Sequence, residues 1–162
     1  MVLEVGTRAP EFTLEGIDGG TYSLREALPA GPILLVFFKT NCRTCDLAFP
    51  YVNRLAVTYQ DGPQLWAVAQ EPLDKAREYA AEQGMEYSVL VDTPGYGVSK
   101  RYDPPATPTF FLIDGDGRVA FASYGFSKDD LNELSRLVAA HLGVEPKVVA
   151  PPDDGQPAFR PG

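Results

Sequence analysis

Residues 33–38 read Ile-Leu-Leu-Val-Phe-Phe, six apolar side chains with no polar break. The run is too short for a core helix and is rich in β-branched and aromatic residues, so it predicts a strand buried on both faces. Such a strand needs a covering layer on each side, which restricts the chain to a layered α/β architecture. Directly after it, past Lys39-Thr40-Asn41, stand Cys42 and Cys45, the only two cysteines of the 162 residues.

The remaining patterns extend this framework. "EFTLEG…TYSL" predicts a short N-terminal β-hairpin, with Gly16, Gly19 and Gly20 at its turn. A helix is expected from about Arg43 to Tyr59, with Leu47, Tyr51 and Leu55 on one stripe and a kink at Pro50. "QLWAVAQ" and "YSVLVD" read as further buried strands, separated by a helix that opens near Pro72 and stops at Gly84. "GYGVSKRYDPPATP" reads as a proline-studded connection, and "TFFLIDGDGRVAFASYG" as a hairpin around Asp-Gly-Asp-Gly. Ser127 and Asp130 resemble a capping box that starts a last helix, which ends at Gly143. The alternation predicts a central mixed sheet flanked by helices. Residues 145–162 are rich in proline, follow no helical or strand period, and are expected as a tail, disordered or lying on the surface.

Charge and composition remove several functions. The net charge is −8 without a Lys/Arg cluster, which argues against nucleic acid and anionic membranes as partners. The longest apolar run falls far below the ~20 residues needed to cross a bilayer. The N-terminus shows no secretory signal, so a cytoplasmic location is expected unless an exported chain was trimmed. His141 is the sole histidine and cannot build a histidine-rich metal site.

Three chemistries use two cysteines at this spacing. A structural zinc needs four ligands, and here only His141 and carboxylates remain to complete the set. A local brace closing so small a loop adds about 2 kcal/mol at most, in a chain long enough to bury its own core. The third is a redox couple, which the position favours. Cys42 sits at the expected helix start, where the free amides and dipole favour an anion by about 0.3–1 kcal/mol, up to ~2 in partly buried sites. That lowers a thiol from about 8.5 toward about 7. Cys42 is then the natural nucleophile, and Cys45, one turn on, the natural resolving thiol. Lys39 and Arg43 are cations that would add to the effect, Asp46 would oppose it, and Thr40 is expected in a turn or cap hydrogen bond. Glu71, at the end of the second buried strand, is a candidate proton acceptor for Cys45.

Three stretches together, "VGTRAPEFTLEG", "ILLVFFKTNCRTC…FP" and "ATPTFFLIDGDGRV", resemble the thioredoxin superfamily. Within it they are most similar to the redoxin branch of TlpA/ResA-type thiol-disulfide oxidoreductases, related to AhpC/TSA proteins. The resemblance implies a thioredoxin-like fold over residues 1–144 with the hairpin as an N-terminal extension, followed by the tail at 145–162. It implies a redox-active Cys42–Cys45 disulfide, a cis-proline at Pro108, and a Thr107 backbone that pairs with an extended substrate segment. It also implies a disulfide-containing protein substrate, a thiol reductant or partner reductase, and no metal or organic cofactor. Asn41, Lys39 and Ala48 depart from the family pattern, which commonly has an aromatic residue, a small residue and a glutamate there. A peroxiredoxin-like peroxidase is the alternative, although Lys39 and Leu35 stand where that family keeps a Thr or Ser and a Pro. A non-catalytic redox sensor or adaptor is a third reading.

Overall fold

The computed structural model describes residues 3–162, so Met1 and Val2 of the expected domain lie outside the described residues. In chain order the elements are β1 (Thr13–Gly16), β2 (Thr21–Ser23), α1 (Leu24–Ala27), a 3-10 turn at Leu28–Ala30, β3 (Ile33–Phe38) and α2 (Arg43–Thr58). They continue with β4 (Gln64–Ala69), α3 (Leu73–Gln83), β5 (Ser88–Val91), α4 (Gly97–Tyr102), β6 (Thr109–Ile113), β7 (Val119–Tyr124), β8 (Phe126–Ser127), α5 (Lys128–Leu142) and β9 (Phe159–Arg160). β1 to β7 form one sheet in the order β2-β1-β5-β4-β3-β6-β7. β3, β4 and β5 run parallel, and β6, β7 and the β1–β2 hairpin are antiparallel to their neighbours.

The two-sided burial of β3 follows from its pleat, since alternate residues feed opposite layers. Leu34, Val36 and Phe38 join Phe49, Val52 and Leu55 of α2, Tyr79 of α3, and Leu131, Leu134 and Val138 of α5. Ile33, Leu35 and Phe37 face the other way, against Phe12, Leu24 of α1 and Val98 and Tyr102 of α4. Under the thiol pair, Phe38, Phe49 and Tyr79 form an aromatic cluster with ring centroids 5.1, 5.4 and 5.9 Å apart. Helix α2 is continuous through Pro50, which is exposed. Gly84 and Gly143 end α3 and α5 in the left-handed conformation, at φ 67° and 70°.

Two parts are more ordered than the sequence expectation required. The proline-studded connection contains α4, whose first amides are capped from a distance: the buried Asp92 carboxylate accepts from Val98 N, Ser99 N and Ser99 Oγ at 3.1, 2.7 and 2.7 Å. Residues 145–162 lack a period, yet they follow a defined path against α2 and α5. Val149 and Ala150 are buried. Asn132 accepts from both their amides and donates to the Ala150 carbonyl, and Arg54 donates to the Val149 carbonyl at 2.7 Å. Lys128, 3% exposed, donates to Pro151 O, Asp154 Oδ1 and Gln156 O at 2.8, 2.6 and 3.0 Å. The Tyr51 hydroxyl donates to Asp154 as well. β9 then pairs antiparallel with β8.

Candidate active site

The thiol pair lies at the carboxyl edge of the parallel strands, where an α/β sheet opens a crevice. β3 ends at Phe38, a four-residue loop follows, and Cys42 is the N-cap of α2. Its Sγ accepts from the Cys45 amide at 3.0 Å, in the position normally held by a capping Ser or Asp oxygen. Cys45 belongs to the core-facing stripe of α2 with Phe49 and Val52, at the i, i+4, i+7 spacing. The two sulfurs are joined as a disulfide with Cα atoms 5.2 Å apart. Cys45 is fully buried, whereas Cys42 is only partly buried. Only one sulfur of the pair therefore meets an incoming molecule.

β6 brings the third component. Because it runs antiparallel to β3, its first residue, Thr109, pairs with Phe37 and sets the preceding loop beside the start of α2. Thr107-Pro108 is a cis peptide bond; a second, Thr93-Pro94, was not expected from the sequence. Thr107 Oγ1 donates to Cys42 Sγ at 3.4 Å, and Thr107 O lies 3.4 Å from the same sulfur. Residues 65 apart in sequence thus converge on one atom. Pro104 and Pro105 are trans.

The other expected residues are distributed around this centre. Lys39 and Arg43 are exposed. The Thr40 amide donates to Glu71 Oε1 at 3.2 Å, and the Glu71 carbonyl accepts from Thr93 Oγ1 at 3.0 Å, so Glu71 braces the loops after β3, β4 and β5. Asp46 accepts from the Tyr79 hydroxyl at 2.7 Å. Burial first, and then this carboxylate, push the Tyr79 hydroxyl well above the ordinary tyrosine range. Tyr79 therefore stays a neutral donor that holds the first turn of α2. Ala48, where the family resemblance leads to the expectation of a glutamate, is buried.

Three contacts near the thiols were not foreseen from the sequence. Thr44, inside the Cys-Arg-Thr-Cys stretch, donates to Pro161 O at 3.1 Å. Gly162 packs on the cis-proline loop, and Gly125 packs on Arg160–Gly162. No local signal marks them, because each contact joins distant segments. Among the described residues no group of three or more His, Cys, Asp or Glu is arranged to hold a metal ion. No helix among them is long and apolar enough to cross a membrane. A cavity of about 690 Å³ lies at the opposite end of the strands, lined by Leu34, Asn53, Tyr59, Trp66 and Tyr87 among others. None of the expected site residues lines it, so the chemistry is assigned to the carboxyl edge.

Comparison with known proteins agrees with this geometry. Residues 5–122 match the model of the AhpC/TSA family. The chain is 30% identical over 139 residues to the thiol-disulfide oxidoreductase ResA of Bacillus thuringiensis subsp. konkukian, covering 84% of this chain and 79% of that protein. It is 31% identical over 132 residues to ResA of Geobacillus thermodenitrificans, covering 80% and 75%. A Chlorobium tepidum structure described as a thiol:disulfide interchange protein DsbE superposes with a TM-score of 0.77 at 29% identity, over 87% of this chain and 99% of that one. The thioredoxin-like fold is thus shared with a protein of this activity, this chain carries a linked CxxC pair, and the chain belongs to the AhpC/TSA family as a thiol-disulfide oxidoreductase of the ResA type.

Proposed function

We propose that this enzyme exchanges disulfides in protein substrates, with Cys42 as the attacking thiol, Cys45 as the resolving thiol and Thr107 as the segment that pairs with the substrate backbone. The observation that carries the reading is the asymmetry of the pair: Cys42 is accessible at a helix start, while Cys45 is sealed in the core. In the reductive direction the Cys42 thiolate attacks one substrate sulfur. The substrate S–S bond breaks, and the leaving thiolate takes up a proton. Cys45, on losing its proton, attacks the Cys42 sulfur and releases the second substrate thiol. Two electrons have then passed to the substrate, leaving the Cys42–Cys45 disulfide for a thiol reductant or partner reductase to reduce.

The helix end supports the first step, because the dipole and the Cys45 amide both stabilise charge on Cys42 Sγ. An extended substrate beside Thr107 would be held by main-chain hydrogen bonds, a mode that tolerates varied side chains. Cys45→Ser should accumulate a mixed disulfide with insulin, while Cys42→Ser should neither reduce nor trap it. Trapping by the Cys42 variant would reverse the assignment. Fast peroxide consumption without insulin reduction at equal enzyme concentration would instead favour a peroxidase.

A further inference from the structure

We propose that residues 158–162 are an internal occupant of the substrate edge, which lets small disulfides reach Cys42 freely but must be displaced by an extended protein segment. The proposal rests on reading Thr107 as the substrate-pairing segment. Strand β9 adds to β8, and the Lys128 amide continues the pairing by donating to Ala158 O at 2.9 Å. Beyond β9 the chain turns over the thiol site. Pro161 O accepts from Thr44 Oγ1, one residue from Cys45. Gly162 lies so close to the cis-proline loop that a Cβ there would stand 2.5 Å from Thr107 O and 2.7 Å from Ala106 Cβ. That same Thr107 carbonyl is 3.4 Å from Cys42 Sγ. An extended segment aligned on Thr107 and residues 158–162 would therefore compete for one place.

The surroundings are built for this close approach. Gly125 has φ +74° and donates its amide to Pro108 O at 2.8 Å. A Cβ on it would come within 2.8 Å of Arg160 O and 3.1 Å of Gly162 N, so only glycine lets the segment lie down. Anchoring and occupancy are separated along the chain. The anchor is Lys128 with its three acceptors at Pro151, Asp154 and Gln156. From Ala158 onward every residue is exposed, Phe159 by 61%. Little apolar surface holds these last residues down. The arrangement is a fixed root followed by a displaceable segment.

A closed population of about 70–90% would lower the apparent affinity for a protein substrate by about three- to tenfold, because only the open fraction binds. Removal of residues 158–162 should therefore raise the rate of insulin reduction by about that factor and leave the rate with a small aromatic disulfide nearly unchanged. An unchanged or lower insulin rate overturns the proposal. So does an equal gain with both disulfides, which would mark altered thiol reactivity. Inactivity of the intact chain toward both disulfides would remove the oxidoreductase reading itself and the proposal with it. A second measurement keeps the chain intact: in Cys45→Ser, capture of insulin on Cys42 should speed amide exchange in the Phe126–Ser127/Phe159–Arg160 ladder. Equal protection before and after capture overturns the proposal.

Discussion

Thr107→Val removes one hydroxyl from the site and little else, because valine keeps the β-branched shape. The lost contact is the 3.4 Å hydrogen bond from Thr107 Oγ1 to Cys42 Sγ. Hydrogen bonds to a charged partner contribute about 1.5–3 kcal/mol. With a partly solvated sulfur at this distance, a value just below that range, about 1.4 kcal/mol, corresponds to about one pKa unit. The Cys42 thiol of the variant should therefore be about tenfold less acidic than that of the parent. At a pH below both titrations the thiolate fraction then falls by about tenfold. A more basic thiolate is also a better nucleophile, by about threefold per unit at a Brønsted slope of about 0.4–0.5. The alkylation rate of the reduced variant should thus be about threefold lower at a pH below both titrations and about threefold higher once both thiols are ionised, with the two profiles crossing between. Stopped-flow alkylation across pH reads this directly. A uniform loss at every pH, or superimposable profiles, would refute the assigned role of the hydroxyl.

Three further outcomes follow from the same structure. Lys39→Ala should raise the Cys42 thiol pKa by less than Thr107→Val does, since an exposed charge contributes only about 0.2–1 kcal/mol and is screened by salt; thiolate absorbance titrated at low and physiological ionic strength checks this. Phe49→Ala removes a fully buried ring that contacts Phe38 and Tyr79, and should cost about 3–5 kcal/mol in urea unfolding. Asp154 is held far below the usual carboxylate range by the Lys128 ammonium first, then by the Tyr51 hydroxyl and the Gln156 amide. A depressed folded-state pKa stabilises the protein above the ordinary value of 3.8, and that stability is lost as pH falls through the folded value. Asp154→Asn should accordingly lose less stability than the parent between pH ~7 and ~3, read from denaturant midpoints.

The parts of the fold that were legible in the sequence are those fixed by local chemistry. The apolar run at 33–38 could only be a doubly covered strand, and Cys42 before a helical stripe could only be near its N-cap. The stops at Gly84 and Gly143 follow from the left-handed conformation that ends a helix. What remained hidden depends on partners far along the chain. α4 begins where the Asp92 carboxylate, at the end of the preceding strand, supplies the cap, so no residue within "GYGVSKRY" announces a helix. The path of residues 145–162 is set by Arg54, Lys128 and Asn132, polar side chains on α2 and α5 that read as solvated faces. A proline-rich segment without a period carries no signal of such docking, because its backbone groups, not its side chains, make most of the contacts. The candidate site divides in the same way. The thiol pair shows in its spacing and Thr107-Pro108 through a family resemblance, whereas the contacts of Thr44, Gly125 and Gly162 emerge only once distant segments are brought together.

The reversible dithiol at the start of α2 is tested most directly by equilibrating the protein in graded glutathione buffers, quenching with acid, and mapping both cysteines by mass spectrometry. The mechanism predicts a single two-electron transition between free Cys42 and Cys45 and the Cys42–Cys45 disulfide, with little glutathione retained on either thiol. Two cysteines that remain free throughout, or that take up glutathione independently without linking, would contradict it.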